Sequence, residues 1–397
     1  MLTPNTVKDK PSARELLAGI KFIDVDTHVS EWPGLWTDRA PAHLKHRMPR
    51  IVGAGLERRW VIDEDTMIYN NGASCAVMKD GGKALGWSFT SITHDDIHPS
   101  AYDTRARVQM MDEQGVYAQI AYPNILGFSG VKGMKTDAEL RLSAVQIYND
   151  AMGDMQRDSG DRIFPMALLP WWDLDASVKE LERCLKWGAR GINWNPDTHT
   201  HGMPDIGNPF WNPIWEACVS NGLPVNFHIG ASDESLSFAG QGVLPSFSNE
   251  ESMAMGTLML FIGNMRVLGN IIISRFLENW PDLKIVSVES GAGWVPYLLE
   301  GLKYTGHEAK INYATPPAEI FRRQIYACSF FERDNFVDTV RQIGADNVMF
   351  ETDFPHPSCL FPDGLEYMVD AIAQLTEEER FKVFSGNAAK LYNINIT

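Results

Sequence analysis

Cysteine is scarce and unpatterned in this chain. Its five residues, Cys75, Cys184, Cys218, Cys328 and Cys359, are an odd number with no CxxC spacing. That argues against a disulfide framework and for reduced, buried thiols. Positive charge is also short, with 35 Lys and Arg against 51 Asp and Glu and a formal charge of −16. Such a balance argues against nucleic acid or an anionic membrane surface as partner. A long apolar run is missing too. A bilayer span needs about 20 mostly apolar residues, and the nearest approach, Met253 to Ser274, is interrupted by Asn264, Arg266 and Asn270. It reads as a buried or interface helix. Met1 to Lys10 has no apolar core, so no secretory signal is visible and a cytoplasmic location is expected. No internal repeat or low-complexity tract stands out.

What the chain does have is apolar content of 44% over 397 residues, ample for one large core. Strand-like runs recur at 22–29, 116–124, 164–172, 190–196, 224–230, 284–290, 325–331 and 347–354. Continuous apolar runs of this length fit strands buried on both faces of a parallel sheet. Helical stretches lie between them. Asp103 or Thr104 can cap one ending at Gly115, and Asp137 one running to about Asp158. Asp175 can open a segment closing at Gly188, Asn208-Pro209 precedes one ending at Gly222, and Asp334 can open one ending near Gly344. Strand then helix, eight times, predicts an α/β fold of the (β/α)8 TIM-barrel type, as one domain over residues 1–397. Two segments exceed the repeat. Residues 32–102 contain a hairpin-like stretch, Arg59 to Tyr69, and a turn at Asp80-Gly81-Gly82, and read as an insertion over the C-terminal rim. Residues 231–283 hold a polar loop and the apolar helix, a second insertion after the fifth strand.

Four of the strand-like runs end in a ligand-type side chain: Asp26-Thr27-His28, His228, Glu289 and Asp353. On a strand, residues two apart share a face, so Asp26 and His28 can both reach one ion. A D-x-H triplet alone is common, and a single histidine is as readily a satisfied core residue. Four such positions at the C-terminal ends of strands in one barrel are hard to obtain by accident, and they predict a divalent-metal site.

At these residues the chain resembles the amidohydrolase-related family, in the branch of metal-dependent barrels that includes aminocarboxymuconate-semialdehyde decarboxylase. The resemblance covers most of the chain. It is carried by Asp24-Val25-Asp26-Thr27-His28-Val29-Ser30-Glu31, by Gly115 to Asn124, and by Trp215 to His228. It closes with Glu351-Thr352-Asp353-Phe354-Pro355-His356 and Gly386 to Tyr392. The resemblance implies one divalent metal, zinc first with manganese or iron as alternatives, held by Asp26, His28, His228 and Asp353. It also implies a homodimer. Asp26 stands where many members carry His or Glu. Decarboxylases of the family carry a catalytic His on the sixth strand, where this sequence reads Val288-Glu289-Ser290.

A zinc-like ion can supply hydroxide at neutral pH, and a neighbouring carboxylate can take and return its proton. That role is assigned to Asp353, with Glu289 as helper, alternative base, extra ligand or an orienting group. His356 either contacts substrate or is a turn histidine in a Pro-bracketed loop. Tyr122, Asn124, Trp171, Asn193 and Asn195, at other strand ends, are the candidate substrate wall, for a small organic molecule; aromatics there are equally ordinary core material. His199-Thr200-His201 imitates a metal motif but falls in a polar loop. The expectation is a metal-dependent hydrolase acting beside a carbonyl, with a non-oxidative decarboxylase of an aromatic or unsaturated acid as the alternative.

Overall fold

The computed structural model describes residues 10–70, 73–239 and 243–397. The segment Met1 to Asp9, on which much of the cytoplasmic expectation rests, lies outside the described residues. The first strand, β1 (Phe22–His28), is buried along its whole length. Three short strands follow, β2 (Arg50–Val52), β3 (Arg59–Ile62) and β4 (Thr66–Tyr69), paired antiparallel in the order β2-β3-β4. The hairpin read at Arg59 to Tyr69 is β3 and β4.

Eight parallel positions then complete the TIM-barrel arrangement. They are β1, β5 (Val116–Tyr122), the interrupted strand β6 (Ile163–Pro165) with β7 (Ala167–Leu168), β8 (Ile192–Asn193), β9 (Val225–His228), β10 (Ile285–Val288), β11 (Ile325–Ser329) and β12 (Val348–Phe350). The ladders form two arcs, β1-β5-β6 and β7 through β12 in sequence order. Met166 bridges one junction: its N–H donates to Ala121 O at 2.8 Å, and the next N–H, of Ala167, donates to Gly191 O at 3.1 Å. At the other junction Asp353 N donates to Asp26 O at 2.9 Å and His28 N to Phe354 O at 2.6 Å. The first and last strands are therefore stitched together at the residues that matter for chemistry.

The helices sit where the capping residues put them. Thr104–Gln114 is capped by Asp103 and ends on Gly115 at φ 75°, and Ala138–Asp158 is capped by Asp137. One cap differs from expectation. Asp173, not Asp175, caps Leu174–Trp187, because its carboxylate reaches Ala176 N three residues on. The apolar run is two helices, Asn249–Phe261 and Gly263–Ile273. Residues Asn249–Ile273 are long and apolar enough to cross a bilayer by length and composition alone. The second helix is instead tied to the barrel, with Asn264 Nδ2 donating to Phe227 O at 2.8 Å and Arg266 paired bidentately with Asp197 at 2.8 and 2.6 Å.

Several strands are shorter than their sequence runs. The run at 190–196 forms a ladder only at Ile192–Asn193, and that at 347–354 only at Val348–Phe350. At the latter the chain turns at Asp353, which adopts a left-handed φ of 59°. Inside the barrel Ile23, Val25, Ile120, Phe164, Val286 and Met349 pack with Tyr392 of the C-terminal segment. Asp24 closes the seam between β1 and β12, accepting from Thr352 N at 2.9 Å and from Thr352 Oγ1 at 2.6 Å. An Asp24→Ala variant leaves both donors without partners, and chemical denaturation is expected to show a loss of about 2–3 kcal/mol. An unchanged unfolding midpoint counts against this role.

Candidate metal centre

One irregularity in β1 shapes the site. Asp24 pairs with Gln119 and Thr27 with Ala121, so three steps of β1 span two steps of β5. A bulge of this kind re-aims the side chains beyond it. Past it, Asp26 and His28 converge with His228 at the end of β9. Glu289 and Asp353 follow β10 and β12, both at left-handed φ, 55° and 59°. Such backbone is costly for a residue with a Cβ and is characteristic of functional positions.

The distances are those of a cage. His28 Nε2 lies 3.5 Å from Asp26 Oδ1 and 3.5 Å from Asp353 Oδ1. His228 Nε2 lies 3.5 Å from Asp26 Oδ1 and 3.4 Å from Glu289 Oε2. The two Nε2 atoms are 3.0 Å apart. Each Nδ1 faces a backbone carbonyl, Pro123 O at 3.4 Å for His28 and Ile229 O at 2.8 Å for His228. A carbonyl only accepts, so each ring carries its proton on Nδ1 and turns a lone pair on Nε2 toward the other ring. Two lone pairs 3.0 Å apart, with the carboxylates around them, repel unless a cation lies between them. Both oxygens of Asp26 are buried and accept no hydrogen bond among the described residues, and the buried Oδ1 of Asp353 faces the His356 imidazole at 2.9 Å. Orphaned acceptors and facing imidazoles fit a divalent metal. Ligand atoms of Asp26, His28, His228 and Glu289 all lie within 4.8 Å of one another, as do those of His28, Glu289, Asp353 and His356.

Electrostatics agree. Burial pushes the carboxyls of Asp26, Glu289 and Asp353 well above the usual range; the charge of Asp24 adds to it at Asp26, that of Asp26 at Asp353, and those of Asp353 and Asp26 at Glu289. Burial also holds His28 and His228 below the usual imidazole value, and His356 is pushed down to about 4. A bound cation reverses this balance for the carboxylates by supplying the missing counter-charge.

His356 is part of the centre. Its ring stacks on His28 with centroids 3.5 Å apart and 20° between planes. Its Nδ1 is 2.9 Å from Asp353 Oδ1, and its Nε2 is 2.6 Å from Asn124 Oδ1. Ser358 Oγ donates to Asp353 Oδ2 and lies 3.2 Å from Glu289 Oε1. Beside His356 a cavity of about 310 Å³ opens to the surface, walled mainly by Phe89, Phe128, Val131 and Leu236.

Of the five expected wall residues, the structure brings only Asn124 to this cavity. Tyr122 lies below the imidazoles with its hydroxyl donating to Asn226 Oδ1 at 3.2 Å. Trp171 Nε1 donates to Ser129 O at 2.9 Å, and Asn193 Nδ2 donates to Phe128 O. Asn195 Oδ1 accepts from Asp197 N at 2.8 Å. Trp171 and Asn193 thus hold the loop after β5 from behind. Phe128, on that loop, was not foreseen; its ring sits 4.1 Å from His228 and 5.1 Å from His28. The Gly127-Phe128-Ser129-Gly130 pattern signals a tight loop at a strand end, and it was the available clue. His199 and His201 lie on a short turn, where His201 faces Asp233 at 3.5 Å.

Comparison with known proteins agrees with this geometry. The amidohydrolase family profile matches residues 23–394. The chain belongs to the amidohydrolase family. It is 24% identical over 308 residues to gamma-resorcylate decarboxylase of Polaromonas sp. (strain JS666), spanning 73% of this chain and 87% of that protein. Among solved structures, an amidohydrolase of Mycobacterium avium subsp. paratuberculosis superposes with a TM-score of 0.72 at 21% identity, covering 94% of this chain and 99% of that one. A dihydroxybenzoic acid decarboxylase from Polaromonas sp. JS666, with bound manganese and the inhibitor 2-nitroresorcinol, gives 0.58 at 18% identity, covering 95% and 98%. These relatives confirm the TIM barrel and overturn the hydrolase expectation, since the matched relatives of named activity are decarboxylases. The expectation leaned on the absence of an imidazole from the sixth strand. The structure supplies one from elsewhere: His356 comes in from the loop after β12 and stacks on His28.

A His228→Ala variant is expected to carry well below the one equivalent of metal expected of the intact chain, measured by elemental analysis. Trp171→Phe, which alters only the loop's backing, is expected to keep it. Chelation of the intact protein is expected to lower Tm, since a cation bound only by the folded state stabilises it by mass action. Unchanged metal content in His228→Ala overturns the site.

Proposed function

We propose that this protein is a metal-dependent, non-oxidative decarboxylase of an aromatic or unsaturated carboxylic acid. The observation that carries the reading is the pair of Nε2 atoms 3.0 Å apart amid Asp26, Glu289 and Asp353, opening onto an apolar cavity. The decarboxylases among the relatives support the choice of reaction. Asp26, His28, His228 and Asp353 are the ligands, with Glu289 near enough to join them. When bound, the cation supplies a Lewis acid that holds the substrate carboxylate and neutralises negative charge. Zinc is the occupant expected from the sequence, and the manganese-bound relative makes manganese its rival.

The chain's own residues provide orientation and a proton. Phe128 and Val131 exclude water from one face of the substrate and favour a planar ring. Loss of CO2 leaves the electron pair of the broken C–C bond on carbon, which must take a proton. Asp353 and His356, 2.9 Å apart, hold that proton. Asn124 fixes the imidazole: its Nδ2 donates to Val29 O at 2.7 Å, which leaves Oδ1 facing His356 Nε2. Glu289, linked to Asp353 through Ser358, tunes the pair.

The segment at 32–102 serves as a partial lid in this reading, since Tyr69, Ser74 and Phe89 all line the cavity. The apolar helix Asn249–Phe261, in which no residue is fully buried and Leu258 is 51% exposed, supports a homodimer. The five buried free thiols support a reducing, cytoplasmic setting.

The test is CO2 release from a panel of hydroxybenzoic acids by protein reconstituted with manganese or zinc. Turnover of at least one acid, abolished by chelation, is expected. Turnover of esters or amides with none of the acids overturns the reading. Asp353→Asn is expected to lower kcat by about 10²–10⁴-fold, the range typical of a lost general acid. His356→Ala is expected to fall in the same range while retaining metal.

A further inference from the structure

The loop that lays Phe128 over the two imidazoles also carries a cation. It leaves β5 through Gly127 (φ 78°) and Gly130 (φ 77°) and closes tightly, with Lys132 N donating to Leu126 O at 2.9 Å. A side chain on Gly127 would meet Val131 and Lys132 at 3.1 and 3.2 Å, so the turn has no slack. Ser129 Oγ donates to Ala231 O at 2.5 Å, and Trp171 and Asn193 hold the loop from behind. The backbone of Lys132 is thus as firmly placed as that of Phe128.

Lys132 is half-buried in the cavity wall, beside Phe128, Val131 and Leu236. Its ammonium forms no ion pair or hydrogen bond among the described residues. Lys135, three residues on, donates to Met67 O at 3.1 Å. Asp233, whose charge favours the ammonium, lies against His201 at 3.5 Å instead. In a chain of net charge −16, an ammonium left unpaired in an apolar wall is conspicuous. Partial desolvation without a partner costs free energy, and an anionic ligand group offsets that cost.

We propose that Lys132 is a specificity-determining residue that binds a second carboxylate of the substrate, making this enzyme's substrate an aromatic or unsaturated dicarboxylic acid. The inference rests on the decarboxylase reading and deepens it. One carboxylate sits at the metal centre and leaves as CO2. The electron pair of the broken C–C bond is captured by a proton at the same carbon. The other carboxylate stays on the product, paired with Lys132. The cavity between the two ends is apolar, as a flat hydrocarbon framework requires.

The test uses manganese-loaded full-length protein and three unreactive probes, benzoate, isophthalate and terephthalate, with Kd measured by calorimetry. At least one diacid is expected to bind at least tenfold tighter than benzoate. Lys132→Met is expected to abolish that preference and Lys132→Arg to retain most of it, with metal content equal in all three proteins. Equal affinity for benzoate and both diacids in the intact protein, or a preference that survives Lys132→Met, overturns the proposal while leaving the decarboxylase reading standing. Binding of none of the three acids overturns both.

Discussion

Two imidazole lone pairs and several carboxylates facing one another in a water-poor interior are a constraint on the whole barrel. Desolvating even one such charge is costly, and like charges at 3–4 Å compound the cost. The fold tolerates the arrangement because a cation can convert mutual repulsion into shared attraction. Much of the surrounding structure serves to hold the donors there. The bulge in β1, the left-handed turns at Glu289 and Asp353, and the carbonyls on each Nδ1 all point donors inward.

A second layer of control comes from the seam between β1 and β12. Asp24 binds Thr352, while buried Arg107 donates to His28 O at 2.6 Å and to Gln119 Oε1 at 2.8 Å. These bonds set the height of Asp26 and His28 relative to Asp353. The loop after β5 is a third. It is fixed by side chains beneath it, and it brings an aromatic ring to the imidazoles and a lysine to the cavity wall.

Much of this was legible in the sequence. Apolar runs located the strands, and Asp103, Asp137, Gly115 and Gly188 marked helix ends through local hydrogen bonding that short-range pattern captures. The convergence of Asp26, His28, His228, Glu289 and Asp353 followed from barrel topology, since strand ends share one rim. What failed was side-chain direction beyond the strand ends. Trp171, Asn193 and Asn195 sit at the right ends but bond to loop backbone, and no spacing rule distinguishes an amide that holds a loop from one that lines a cavity. Lys132 lay invisible for the complementary reason: it follows a strand by ten residues, and only the tight closure at Leu126 brings it back. The hydrolase expectation failed because function was tied to one strand, whereas a barrel rim accepts an imidazole from any loop that reaches it.

The proposed ligands also have a temporal consequence. Asp26 and His28 are made before Asp353 with most of the barrel between them, and the backbone bonds that seat them, Asp353 N to Asp26 O and His28 N to Phe354 O, join the same two regions. A nascent chain therefore holds at most a partial set of donors until β12 and the turn after it have left the ribosome. Metal capture becomes a late event, coupled to barrel closure, so that loading with the ion and completion of the fold report on each other.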